Sequence, residues 1–323
     1  MEVGFAQLQS KLPARLSFTF NSGNGESMQD LLIVYLSAID TPKKLWIPTM
    51  ASFTTMRNQQ DWPPMMAYDR FGIPPSDNDP HDAGKTTEYW HDIPETVRCL
   101  RELIIYMTET RLQKRKLPQL ILVGNSMGCA IARLYASTYP GTVSGLLLLD
   151  PPPLISGGSR SFMPDTKSLD FNAADLPEGI TTEMIDRAHE NFLRSRFHHG
   201  SINKEGLNWR ELSTQIRPDS PRLQGPGGVG PVITILRHEP NVFAKQFLKT
   251  TGTPLAITRT YHEPVWERAS QFFAQATREG RCKGPIVVPR SGHFIPMDTP
   301  DVISVELCEL LDRVRQSGNT CKI

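Results

Sequence analysis

The chain has 323 residues, of which 39% are hydrophobic and 21% are charged, and its formal net charge is +1. This balance is typical of a globular protein, and the absence of a basic stripe interleaved with aromatic residues argues against nucleic-acid binding. The length exceeds that of an ordinary α/β domain and accommodates one such domain with an insertion.

Cysteine usage and apolar runs indicate the compartment. The five cysteines are scattered, with no C-x-x-C or other metal-ligand spacing, which favours reduced thiols in an intracellular protein without a metal site. We expect no signal peptide and no membrane span, because the N-terminal residues lack a basic region followed by an apolar one and the apolar runs are short. The final Cys321-Lys322-Ile323 is similar to the S-K-L peroxisomal address, so we expect a cytoplasmic protein, or a peroxisomal one if this tripeptide is a targeting signal.

Strand-length segments recur along the chain. Residues 15–20 alternate between polar and apolar and predict an early antiparallel strand. Continuous apolar runs, typical of strands that are buried on both faces of a parallel sheet, follow it. These runs are residues 31–36, 65–69, 119–123, 143–149, 231–236 and 285–288.

Helical patterns alternate with these strands. Apolar spacing predicts a helix after Pro94, another directly after Ser126, and a third that begins at Pro300 with Thr299 as its N-cap. This order predicts an α/β fold with a doubly wound, mostly parallel sheet.

One segment interrupts the alternation. Residues 151–230 open with three prolines, carry helical patterns at 181–197 and 208–216, and contain no strong strand pattern. We therefore predict a core formed by residues 1–150 and 231–323, with residues 151–230 inserted as a helical cap over the carboxyl ends of the strands.

A G-x-S-x-G motif follows the third apolar run. Gly124-Asn125-Ser126-Met127-Gly128 lies between a strand and a helix, which is the context in which this motif presents a nucleophile. The sharp turn exposes the Ser126 hydroxyl, and the start of the next helix offers backbone N–H groups to an oxyanion, beginning with Met127. The alternative interpretation is a glycine-rich turn whose serine only caps a helix.

These motifs resemble those of the α/β-hydrolase superfamily. Besides the G-x-S-x-G motif, Asp69-Arg70-Phe71-Gly72 is similar to the superfamily's D-x-x-G turn, and Ser291-Gly292-His293-Phe294 is similar to its histidine loop. The strand 31–36 then corresponds to the one that ends in the oxyanion loop, where Ser37-Ala38 stands in place of the common His-Gly. The resemblance implies an oxyanion hole formed by the N–H groups of Met127 and of Ile39 or Ala38.

A finer resemblance is to hydrolases and thioesterase-like enzymes of fungal biosynthetic pathways. It is based on Asp40-Thr41-Pro42-Lys43-Lys44 followed by Trp46, together with the Tyr68 to Gly72 turn and Gly292-His293-Phe294-Ile295.

The resemblance also orders the catalytic groups as serine, acid, histidine. His293 is the predicted general base, because it follows a strand-like run near the C-terminus. The ordinary pKa of a histidine side chain lies near neutrality, which suits proton transfer. Three carboxylates are candidates for the acid. We favour Asp150, which ends the strand after the nucleophile helix, but Glu239, at the end of the next strand, and Glu263, which fits the same strand-end template, remain alternatives.

The predicted function is cofactor-free acyl transfer through an acyl-enzyme on Ser126. We expect a small to medium apolar ester, lactone or thioester as substrate, because Phe171, Phe192, Leu193 and Phe197 make the predicted cap apolar. This substrate would be free or bound to a carrier or CoA. A serine at the nucleophile position argues against epoxide hydrolases and dehalogenases, which use a carboxylate. The alternatives are a non-catalytic ligand-binding protein on this fold and a carbon–carbon bond hydrolase with the same residues.

Overall fold

The computed structural model describes residues 1–86, 90–154, 158–195 and 203–319. Within these ranges eight strands form one sheet in the order β1-β2-β4-β3-β5-β6-β7-β8. The strands are β1 Glu2–Gln7, β2 Arg15–Asn21, β3 Leu31–Leu36, β4 Met65–Tyr68, β5 Gln119–Asn125, β6 Val143–Leu149, β7 Val232–Arg237 and β8 Cys282–Val287.

The sheet is mostly parallel, as the sequence predicts. β2 pairs with β1 and β4 in the antiparallel sense, whereas every pair from β4 through β3 to β8 is parallel. Strand β1 was not predicted, because this edge strand is largely exposed and its side chains lack a strong apolar pattern.

Helices cover both faces of the sheet. They are α1 Ile47–Met56, α2 Ile93–Thr110, α3 Met127–Thr138, α4 Thr182–Arg194, α5 Leu212–Gln215, α6 Pro240–Thr251, α7 Leu255–Ile257, α8 Glu263–Ala274, α9 Ile295–Asp298 and α10 Pro300–Asn319. No helix in the described part of the chain has the length and apolar character that crossing a membrane requires.

Successive residues of one strand face opposite cores. Leu32 and Val34 of β3 pack in the cluster that contains residues of α2 and α3, whereas Ile33 and Tyr35 pack in the cluster that contains residues of α1 and α10. Because both faces are covered, the strand needs apolar residues at every position, which explains its unbroken apolar run.

The described residues of 151–230 form helices and turns and contain no strand. Helix α4 packs through Ile185 and Ala188 in a small cluster with Ile257 of α7. The second predicted helix, 208–216, is confined to α5, because Leu207 and Trp209 join the main core in an irregular segment that precedes it. The division into core and cap remains a prediction.

The segment before Glu263 is helical rather than a strand. Helix α7, a π-helical turn at Thr258–His262 and α8 follow one another without a break. The sequence template failed here because Pro264 occupies the first turn of α8, where proline is favourable. Val265, Trp266, Ala269 and Phe273 then continue a buried helical stripe.

Candidate active site

Three predicted site residues, Ser126, Asp150 and His293, and one unpredicted residue, His238, follow strands that end at one edge of the sheet. Ser126 follows β5, Asp150 follows β6 and His238 follows β7, while His293 lies in the loop after β8. The carboxyl ends of neighbouring parallel strands meet at the same edge, where binding sites of open α/β sheets lie.

Ser126 lies in a strained turn. Its φ of 52° and ψ of −118° fall in a sparsely populated region for a residue with a side chain, and its N–H donates to Leu149 O at 2.9 Å. A Cβ atom on Gly124 would lie 2.6 Å from the Gly128 backbone, and one on Gly128 would lie 2.1 Å from Leu36 O. The two glycines are therefore required by close backbone packing on both sides of the serine.

Asp150 is fully buried and contacts His293. Its Oδ2 lies 2.5 Å from His293 Nδ1 and accepts a hydrogen bond from Trp266 Nε1 at 3.1 Å. Burial alone would raise the pKa of Asp150. The positive charge of His238 and hydrogen bonds from both histidines outweigh burial and hold this pKa well below its ordinary value.

The His293 main chain is anchored next to the serine turn. Asn125 Nδ2 donates to His293 O at 3.1 Å and also to Leu149 O at 3.1 Å. The imidazole meets the Trp266 ring edge-on, with centroids 5.9 Å apart. With Nδ1 held by Asp150, the other ring nitrogen, Nε2, lies on the side away from that carboxylate.

The sequence analysis did not identify the role of His238. Its Nδ1 lies 2.7 Å from Asp150 Oδ1 and its Nε2 lies 2.9 Å from Glu263 Oε1. Burial alone would lower the pKa of His238, but the two carboxylates raise it to about 9. The available sequence signal was its position at the end of β7, which we used only for the neighbouring Glu239.

The two alternative acids lie away from the His293 imidazole contact. Glu239 Oε2 accepts the Arg290 N–H at 2.7 Å, and the Glu239 N–H donates to Ser291 O at 2.8 Å, so this residue braces the loop that precedes His293. Glu263 contacts His238 and, through Oε2, Arg237 Nη2 at 3.0 Å.

Arg70 orients the loop that contains the predicted oxyanion donors. Its guanidinium donates to Ser37 O at 2.7 Å and to Ala38 O at 2.8 Å. In a planar trans peptide the carbonyl and the following N–H point in opposite directions. The N–H groups of Ala38 and Ile39 therefore point away from Arg70.

Glu205 links this loop to the predicted cap. It forms a two-point ion pair with Arg70, at 2.6 and 2.9 Å, and its Oε1 accepts the Asp40 N–H at 2.9 Å. Asp40 Oδ1 in turn accepts the N–H groups of Lys204 and Glu205 at 2.7 and 3.1 Å. Burial alone would lower the pKa of Arg70, but the charge of Glu205 outweighs it and raises this pKa.

Two further polar clusters hold the chain together. Asp69 contacts Lys43 through the backbone N–H at 2.6 Å and the ammonium at 2.5 Å. Asp79, Asp82 and His91 converge in a way that could ligate a metal ion, but the Lys11 ammonium lies 2.7 Å from Asp79 Oδ2 and already supplies a positive charge there.

Two cavities differ in their relation to the site. The larger, of about 430 Å³, is lined by Leu31, Gln119 and Ser144, which lie at the amino ends of their strands, opposite the edge that carries Ser126. A cavity of about 330 Å³ lies between residues of 151–230 and α8, and its lining includes Leu154, Phe162, Ile216, Val265 and Phe272.

The aromatic residues of the predicted cap differ in their surroundings. Phe192 is buried and, with Phe162, packs against His262, whereas Leu193 is exposed. Phe171 lines a shallow cavity at the surface of the cap segment. Phe197, His198-His199 and the terminal Cys321-Lys322-Ile323 lie outside the described residues.

A family model described as the alpha/beta hydrolase family matches residues 41–305. The chain belongs to the alpha/beta hydrolase family. This membership confirms the resemblance seen in the sequence motifs and places the chain among hydrolases.

The chain is similar in sequence to a protein that is a methylesterase by name. The chain is 24% identical over 235 residues to protein phosphatase methylesterase 1 from Neurospora crassa, covering 64% of this chain and 46% of that protein. The chain thus spans less than half the length of this relative.

Solved alpha/beta hydrolase structures share the fold. Alpha/beta hydrolase domain-containing protein 10 from mouse has a TM-score of 0.54 at 13% identity, covering 98% of this chain and 99% of that one. The enol-lactonase from Burkholderia xenovorans LB400 has a TM-score of 0.53 at 15% identity, covering 96% and 100%.

Proposed function

We propose that this alpha/beta hydrolase cleaves apolar carboxylic esters, lactones or thioesters through an acyl-enzyme on Ser126. The observation that carries the proposal is the 2.5 Å contact between Asp150 and His293 at the sheet edge where the strained Ser126 turn lies. A carboxylate on Nδ1 keeps that nitrogen protonated and leaves Nε2 as the base.

The proposed reaction has two halves. Ser126 Oγ attacks the substrate carbonyl carbon while its proton passes to His293 Nε2, and the oxyanion is stabilised by the N–H groups of Met127 and Ile39. Collapse breaks the bond to the leaving oxygen or sulfur, which takes the proton from Nε2. Water then attacks the acyl carbon with His293 as base and releases the acid. An internal hydroxyl in place of water gives a lactone.

The geometry of the donors supports this oxyanion hole. Met127 is the first residue of α3, and the first N–H groups of a helix have no acceptor within the helix. The Arg70 contacts turn the Ala38 and Ile39 N–H groups away from the guanidinium. Met127 lies just after the end of β5, and Ala38 and Ile39 lie just after the end of β3. Gly128 and Leu36, which are close to these donors in the chain, are in close contact.

We propose that the acyl group of the substrate occupies the cavity beside α8. Most of its lining side chains are apolar, and Pro153 and Leu154 follow Asp150 closely in the chain. The methylesterase relative and the structurally similar lactonase act, by name, on ester bonds, which is consistent with the class of bond proposed. A role in a fungal biosynthetic pathway remains a prediction.

The test combines covalent labelling with turnover. We expect a fluorophosphonate probe to add one phosphonyl group to Ser126, located by peptide mass spectrometry, and the wild type to hydrolyse acyl esters and thioesters. Ser126→Ala should lose labelling and reduce kcat by roughly 10⁴-fold, because the nucleophile is removed. Turnover near the wild-type rate in Ser126→Ala would contradict the mechanism, and labelling without turnover of any ester or thioester would favour a ligand-binding protein.

A further inference from the structure

His238 has a carboxylate oxygen on each ring nitrogen. Asp150 Oδ1 lies 2.7 Å from Nδ1, and Glu263 Oε1 lies 2.9 Å from Nε2. An ionised carboxylate only accepts hydrogen bonds, so both ring nitrogens must carry protons. A neutral imidazole has a single N–H and would leave either Asp150 Oδ1 or Glu263 Oε1 without its imidazole donor.

The two oxygens of Asp150 are divided between two histidines. Oδ1 faces His238, while Oδ2 faces His293 and the Trp266 N–H. A carboxylate held on both sides in this way cannot rotate without breaking hydrogen bonds, and Asp150 is fully buried, so solvent does not replace them. His238 therefore fixes the orientation of the group that orients His293.

We propose that His238 is a positioning residue of this site, an imidazolium that bridges Asp150 and Glu263, locks the Asp150 carboxylate onto His293 and places a positive charge beside this carboxylate. The inference rests on the proposed function, because it assigns His293 the role of general base. Its physical core, the charge on His238, does not depend on turnover.

The charges of the cluster balance. Asp150 and Glu263 are negative, and His238 and Arg237 are positive, with Arg237 Nη2 3.0 Å from Glu263 Oε2. Buried charges are tolerated when they are paired and hydrogen-bonded in this way. When His293 takes up a proton, the Asp150 carboxylate has two positively charged partners, His293 and His238.

Several neighbouring elements place titratable, charged or aromatic groups near His238 and its carboxylate partners. The nearby groups are Asp150 after β6, Arg237 at the end of β7, Glu263, Glu267 and Trp266 of α8, Phe243 of α6, which stacks on the His238 ring with centroids 4.1 Å apart, and Cys129 of α3. Burial raises the pKa of the Cys129 thiol well above its ordinary value, so it stays neutral. The charge of the cluster is thus set by two carboxylates, Arg237 and the two histidines.

The direct test reads the proton state of His238. Two-bond ¹H–¹⁵N correlation spectra of the imidazoles should show His238 with both nitrogens protonated at pH 7.5, titrating near pH 9. Because this spectrum is independent of turnover, failure of the inference is distinguishable from failure of the proposed function. A singly protonated His238 at pH 7.5 would overturn the inference.

The kinetic test separates charge from position. His238→Asn can keep an N–H toward Asp150 without the charge, so the acid limb of kcat/KM should move up by roughly one pH unit, since a neighbouring charge typically shifts a pKa by 1–3 units. His238→Phe keeps an aromatic ring beside Phe243 but leaves Asp150 Oδ1 without its imidazole donor, and should also lower the plateau of kcat.

The control is His262→Asn, which alters another buried histidine that packs among Phe162 and Phe247. Its acid limb should match that of the wild type. An acid limb of His238→Asn that superposes on the wild-type curve, in a variant whose circular dichroism is unchanged, would overturn the inference.

Discussion

At the scale of single residues, the site depends on one carboxylate that serves two imidazoles. Asp150 is fully buried. Its φ of 50° lies in the left-handed region, so the backbone of this residue is strained. Its four contacts come from His238, His293 and Trp266. Such a group tolerates little change, because any replacement must satisfy donors on both of its oxygens.

Asp150→Asn is expected to reduce kcat by about 10⁴-fold with KM little changed. The amide presents an N–H₂ group to one of two imidazole nitrogens that must donate, so His293 loses its orientation and its correct tautomer. Steady-state kinetics on an ester substrate measures this effect.

The matched control for this experiment is Glu239→Gln. Glu239 contacts the Arg290 N–H rather than the imidazole, so its variant should keep most of its activity. Retention of activity in Asp150→Asn together with its loss in Glu239→Gln or Glu263→Gln would assign the acid to a glutamate.

At the scale of elements, the junction of β5 and α3 is fixed by backbone contact. Helix α3 begins directly after Ser126, and Gly128 lies against the last residue of β3. This contact brings the two strand ends that carry the predicted oxyanion donors together. The G-x-S-x-G spacing is therefore a packing requirement, independent of the catalytic role that we propose for Ser126.

Gly128→Ala is expected to lower the free energy of unfolding by about 1–3 kcal/mol, the usual cost of overpacking, and to lower kcat as well. Its new methyl group would lie 2.1 Å from Leu36 O. Because this oxygen belongs to the backbone, a change of side-chain rotamer cannot relieve the clash. Urea denaturation measures the first effect and ester hydrolysis the second.

Gly145→Ala in β6 is the control. Its new Cβ would meet only side-chain atoms, the nearest being Val314 Cγ2 at 3.0 Å. It should cost less stability and leave kcat unchanged. An equal loss in both variants would mean that the Gly128 contact has no special importance.

At the scale of the whole molecule, residues 151–230 are tied to the sheet edge by a buried ion pair. Arg70 and Glu205 are 135 positions apart in the chain, and both are buried. Arg70 also donates hydrogen bonds to the Ser37 and Ala38 carbonyls. It therefore connects the segment that contains Glu205 to the predicted oxyanion loop.

Glu205→Gln is expected to lower kcat by up to about 10²-fold, with a smaller change in KM. The amide cannot reproduce the two-point ion pair, so Arg70 should release the loop, and loss of one oxyanion donor costs 10²–10³-fold in kcat. Glu190→Gln alters an exposed ion pair with Arg194 in the same segment and should behave like the wild type. Equal kcat values for the two variants would rule out the link between this segment and the loop.

The sequence alone determined the order of strands β2 to β8 along the chain and the local context of the serine and the histidine. Strands that are buried on both faces require continuous apolar runs. The strand-to-helix turn has no space for side chains beside the serine and therefore requires glycines, so both features can be recognised in the local sequence. The same reasoning failed at 254–263, where a short apolar run fitted both a strand and a helix and only packing against neighbouring elements decided for a helix.

Only the tertiary structure decided which polar groups meet. Asp150, favoured from the sequence, and the alternatives Glu239 and Glu263 all had strand-end signals, and the contacts that distinguish them join residues more than 20 positions apart. The His238 bridge and the Arg70–Glu205 pair are equally non-local. Hydrogen bonds at a sheet edge depend on which strand ends are neighbours and how their loops fold back, and this information is absent from the periodicity of any one segment.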